Sequence, residues 1–273
     1  MNFIRKITAS GSLPLCYLLL AALTVGATVL RSIALTLSFD ADIGYFQKGL
    51  IPVYILLALA AALCAAIPFL IKKEALDKTG RTSRTAELIA AALPALVLLV
   101  LAFYLLARRK SIPAPALLVV LAAFLCATGA AYFGSRLRDG QDTATGLLFG
   151  YGAILGMTLL LAITYFDLYT QMNAPHKLSQ HLALLVAMVA LLYELRILTK
   201  TQFPRIRAAS AGLASFSCTV VGISNTVGFL AGSLSDVTYL LIDLLLVTLG
   251  VYFAVTCTLL CLPAKTDKED AHT

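Results

Sequence analysis

Apolar residues fill eight windows, at 13–38, 49–71, 86–107, 113–134, 145–166, 178–199, 209–232 and 238–262, and polar residues gather in the short segments between them. Crossing ~30 Å of hydrocarbon takes roughly 20 residues of helix, and each window has that length. A helix also satisfies its own backbone amides where lipid supplies no partner. The pattern predicts an all-α, polytopic membrane protein with eight transmembrane helices. Two polar, aromatic segments interrupt it: "SFDADIGYFQKG" (38–49) and "TYFDLYTQMNAPHK" (164–177).

Those two segments suggest a duplication. When Phe39-Asp40 is laid on Phe166-Asp167, the second window falls on the sixth, the third on the seventh and the fourth on the eighth. Four helices per half give both halves the same orientation, a parallel 4+4 repeat about an axis along the membrane normal. The expected division is a first membrane half at 1–134, a second at 135–264 and a polar cytoplasmic tail at 265–273.

Composition supports the membrane class. The chain is 60% hydrophobic and 13% charged, against about a quarter charged in soluble domains. The expected partner is the lipid bilayer. The net charge of +7 does not point to nucleic acid, because its lysines and arginines lie between the windows. With the N-terminus inside, fifteen of the 21 fall on the cytoplasmic side, as the positive-inside bias requires. Five fall outside, three of them in Arg108-Arg109-Lys110, and Arg31 lies within the membrane. Both termini are expected in the cytoplasm. The apolar run near the N-terminus continues to Leu37, too long for a signal-peptide core.

Three of the charges inside windows matter here: Arg31, Glu194 and Asp243. A charge at the bilayer centre costs about 2.5–3.5 kcal/mol on insertion scales and is normally turned inward. Each lies on a stripe of small or polar residues at helical spacing. Arg31 shares its face with Thr28 and Ala34, Asp243 with Gly250 and Ala254, and Glu194 with His176, Gln180, Ala183, Ala187 and Ala190. Arg31 and Asp243 come at similar depth and are expected to pair. Glu194 is expected to reach the interface near Arg196 or Arg207. Asn225 lies in the window poorest in helix formers, which reads either as a broken helix lining a cavity or as a close-packing face with Ser and Asn bonded across helices.

The polar segments supply Asp40 and Asp42 from the first, and Asp167, Asn173, His176 and Lys177 from the second. They are expected to form one outer-facing polar mouth, rimmed by Tyr45 and Tyr169. No metal or cofactor is expected. His176 and His181 are five apart, off the i,i+4 register of a zinc helix. Cys257 and Cys261 are in register but lack a partner. "GISN" (222–225) lacks the last Gly of a nucleophile motif, and no P-loop occurs. No catalytic residue is assigned, and an enzyme is the less favoured reading.

"FDADIGYFQKG" and "FDLYTQMNAPHKLSQHLALLVAMVALLYELR", together with "GISN" and the helix after it, resemble a family of multi-pass membrane proteins from anaerobic Firmicutes that has no assigned activity. The resemblance covers most of the chain and implies a bacterial cell membrane. The leading functional expectation is binding or passage of a small polar or charged solute through an outer-facing vestibule. The alternatives are a non-enzymatic partner or sensor subunit, whose outer loops meet another membrane protein, and a lipid hydrolase using Asp167, Asp243 or Glu194.

Overall fold

The computed structural model describes residues 13–40, 45–46, 51–70, 84–112, 114–135, 143–167, 174–199 and 203–261. Eight helices run through them: α1 (Leu13–Leu37), α2 (Ile51–Leu70), α3 (Arg84–Ala107), α4 (Ala116–Ser135), α5 (Thr143–Phe166), α6 (Pro175–Leu198), α7 (Pro204–Leu230) and α8 (Val237–Cys261). Seven of the described helices are long and apolar enough to cross a membrane, and α2 provides a shorter apolar stretch, Ile51–Ala66. The chain is therefore an all-helical, multi-pass membrane protein. Large apolar side chains such as Leu96, Phe103 and Leu148 point away from the bundle, which a bilayer accepts and water would not.

Proline and glycine set the helix limits. Pro175 and Pro204 open α6 and α7, where the missing N–H has no helical partner to lose. Gly232 closes α7 with φ +79°. Its N–H reaches the Phe229 carbonyl, and Ser233 N–H reaches that of Gly228. This is the six-to-one and five-to-two pairing of a Schellman stop, which needs a residue free to turn left-handed.

Helices α3 to α8 share one continuous apolar core. Helices α1 and α2 lie outside it, against a second face of α7, where Ala60 and Cys64 meet Phe216 and Val220. So α7 is the central element, packed on α8, α6, α1 and α2. Small residues make this possible. A Cβ on Gly222 would lie 2.7 Å from the Asp243 carbonyl oxygen, and one on Gly156 would lie 3.0 Å from the Leu125 carbonyl carbon. The backbones of α7 and α8, and of α4 and α5, approach as closely as glycine permits.

The two halves are not packed alike. α6 lies along α7, whereas the corresponding α2 has little contact with α3 and packs on α7 instead. Helix α7 is continuous from Pro204 to Leu230, so the broken-helix reading of this segment is corrected in favour of a packing face. Phe39 and Asp40 lie on a two-residue strand, β1, paired antiparallel with β2 (Tyr45–Phe46), while Phe166 ends α5 and Asp167 follows it.

Candidate functional site

Four helices bring a buried polar cluster together at the end of the bundle where α5 finishes and α6 and α8 begin. Arg31 on α1 is 6% exposed. Its Nε donates to Ser224 Oγ at 2.8 Å, and its Nη2 donates to Ser179 Oγ and to Asn225 Oδ1, the latter at 3.2 Å. The serines are prepared as acceptors: Ser224 donates its own proton to the Val220 carbonyl and Ser179 to that of His176. A hydroxyl committed in this way presents only lone pairs to the guanidinium.

Asp243 on α8 is equally buried. Its Oδ1 accepts from Asn225 Nδ2 at 3.0 Å and from Gln180 Nε2 at 2.8 Å. Gln180 Nε2 also donates to the Tyr239 carbonyl at 3.1 Å. The expected direct Arg31–Asp243 pair is thus corrected. Asn225 stands between them, its oxygen turned to the cation and its amide to the carboxylate. Close approach of α7 to α8 at Gly222, one helical turn before Asn225, puts the amide there. The opposite charges still offset each other across a short neutral bridge.

Towards the end of the bundle the network continues. Tyr239 Oη donates to Asp167 Oδ2 at 2.9 Å, and Lys177 Nζ donates to the Asp167 backbone carbonyl at 3.1 Å. Lys177 is 1% exposed, so its charge is buried beside that of Asp167. Two cations and two carboxylates thus share this region, which limits the penalty that any one alone would carry. The His176 ring sits edge-on between Phe39 at 5.6 Å and Tyr239 at 5.8 Å, between centroids. Phe39 in turn meets Phe46, and Phe46 meets Tyr54 on α2.

Of the residues expected from the sequence, Arg31, Asp167, His176, Lys177, Asn225 and Asp243 belong to this cluster. Asp40 is half-buried on β1, beside Phe39. Asp42, Asn173 and Tyr169 lie outside the described residues, as does the Tyr45 side chain. Glu194 is not part of the cluster. It is buried toward the opposite end of α6 and accepts a hydrogen bond from Tyr252 Oη. Phe133 packs edge-on to Tyr252 at 5.1 Å. Arg196 lies over the rings of Tyr193 and Phe203.

Sequence reasoning missed Ser179 and Tyr239, took Ser224 only as a residue bonded across helices, and placed Gln180 on a stripe without giving it a role. One signal was present: "HKLSQ" (176–180) packs four polar residues into the first turns of a membrane helix.

Two buried atoms of the cluster have no hydrogen-bond partner among the described residues, His176 Nδ1 and Gln180 Oε1. They lie four residues apart, on one face of α6. A buried amide or imidazole left unpaired costs about 1–3 kcal/mol, so an amide acceptor and an imidazole nitrogen stand available on this face.

Comparison with protein-family models, with curated proteins and with solved structures finds no match to this chain.

Proposed function

We propose that this membrane protein binds a small polar solute at the Arg31–Asp243 cluster and passes it across the membrane. The observation that carries the reading is the pair of buried atoms without a hydrogen-bond partner among the described residues, Gln180 Oε1 as acceptor and His176 Nδ1, whose role depends on its tautomer, on the helix that also meets the Arg31 guanidinium through Ser179. Buried polar groups are normally paired, and in membrane helices they mark pathways and sites more often than not. A solute carrying both an acceptor and a donor, such as an amino acid or a small amide, can pair with both.

The finer setting belongs to the same proposal. The cluster faces outward in a bacterial cell membrane, both termini are cytoplasmic, and α2 serves as an eighth span. The Phe-Asp pairs at 39–40 and 166–167 support a parallel duplication of 1–134 and 135–264, and the different packing of α2 and α6 weighs against it.

The test is thermal unfolding of the purified protein against a panel of amino acids, small amides and carboxylates, followed by uptake of any hit into proteoliposomes. A stabilising solute is expected, with the effect lost in Arg31→Gln and Gln180→Leu. A panel without a hit, or a hit that both variants keep, sinks the reading. A hit that binds but never crosses leaves binding and removes transport.

A further inference from the structure

A groove of about 440 Å³ opens on the lipid-facing side of the bundle, between α1, α7 and α8. Its floor is Gly212, Ser215, Thr219 and Gly250, and Val25 and Val251 form its exposed rim. It lies apart from the Arg31 cluster and has the size of a small-ligand pocket, which runs roughly 300–1,000 Å³.

Its hydroxyls set it apart. Serine and threonine in membrane helices normally donate to a carbonyl three or four residues back. On α7, Ser210, Ser217, Ser224 and Thr226 all do so. On the groove walls, so do Thr24 and Thr258. Ser215 and Thr219 make no hydrogen bond among the described residues, although both line the groove and Ser215 is 7% exposed. Spaced four apart, they lie on one face of α7, with their donor protons unused.

Depth decides what such donors can meet. Within the span Arg205–Leu230, they come roughly 15 and 21 Å along the helix at 1.5 Å per residue, close to the middle of the bilayer. Phospholipid headgroups do not reach there, and a charged ligand would carry the penalty of the hydrocarbon centre. We propose that the groove binds a membrane-dissolved, uncharged small molecule whose carbonyl oxygen accepts from Ser215 and Thr219 while its apolar body fills the space between α1 and α8. A quinone has this chemistry.

The probe is decylubiquinone, a benzoquinone with a ten-carbon chain, added to the full-length protein in phosphatidylcholine nanodiscs. The chain contains no Trp, so Val25→Trp at the exposed rim introduces a single fluorophore that a bound quinone quenches. Saturable quenching is expected, and decylbenzene, which lacks carbonyls, should not compete. Adding Ser215→Ala and Thr219→Val should raise the half-saturating concentration about tenfold, the loss of two net hydrogen bonds. Ala254→Phe, which fills the groove from its exposed side, should abolish quenching. Thermal stability of the Trp-free parents checks that each variant folds, and a variant that does not fold is replaced by Ser215→Ala alone. Linear, non-saturating quenching, competition by decylbenzene, or unchanged affinity in the hydroxyl variants overturns the proposal.

Discussion

The ring of Phe39 meets the ring of His176 edge-on, with 5.6 Å between centroids and 89° between planes. One residue begins the short hairpin after α1, and the other lies in the first turn of α6. The described ends of the two polar segments therefore lie at the same end of the bundle, joined by an aromatic contact. Such pairs contribute about 0.5–1.5 kcal/mol beyond the area they bury. Phe39→Ala should lower the unfolding free energy in detergent by at least that amount, and Phe39→Leu by less. Equal losses in the two variants would show that the ring geometry contributes nothing.

The bridge through Asn225 makes a distinct energetic signature. Arg31→Gln and Asp243→Asn should each destabilise the protein, and the double variant should lose less than their sum. Coupling between groups in one network runs about 0.5–3 kcal/mol. In an Asn225→Leu background that coupling should largely vanish, because no amide then relays between guanidinium and carboxylate. Coupling that survives intact would mean the two charges act on each other without the bridge.

Asn225→Leu alone should cost about 1–3 kcal/mol, the range for stranding buried partners. Adding Asp243→Asn to it should restore part of the loss, since a neutral amide tolerates a missing donor better than a carboxylate does. Thermal unfolding of the three proteins, measured side by side, decides this. No rescue would place the cost in packing of the larger side chain.

Gly222 is the position where α7 and α8 touch through backbone. A methyl group there would come within 2.7 Å of the Asp243 carbonyl oxygen. Gly222→Ala should cost about 1–3 kcal/mol, as overpacked cores do, and it should also weaken the Asn225–Asp243 contact. The check is stability together with solute response. Wild-type stability in this variant would mean that the helices separate freely.

The proposed orientation rests on the loop charges. With Lys78 and Met172 replaced one at a time by cysteine in a Cys-free protein, an impermeant maleimide added to intact cells should label position 172 and spare position 78. The reverse pattern inverts the protein and turns the polar cluster toward the cytoplasm.

The sequence by itself determined the class, the helices and which faces turn inward. Those are local properties: long apolar runs can only be stable in lipid as helices, and a charge such as Arg31, Glu194 or Asp243 can only face the bundle. The stripe through His176, Gln180, Ala183, Ala187, Ala190 and Glu194 is buried along its whole length, as its spacing required. Which residue meets which was not legible. Asn225 separates Arg31 from Asp243 because α7 lies between α1 and α8, and no pattern within one helix specifies its neighbours. Glu194 meets Tyr252 for the same reason: partners on α6 and α8 are chosen by how the helices cross. The uncommitted hydroxyls of Ser215 and Thr219 were likewise invisible, since Ser217 and Ser224 carry the same chemistry nearby and only tertiary packing leaves a groove beside one pair. Periodicity fixes the direction a side chain takes from its own axis, and only the packing of helices supplies what it finds there.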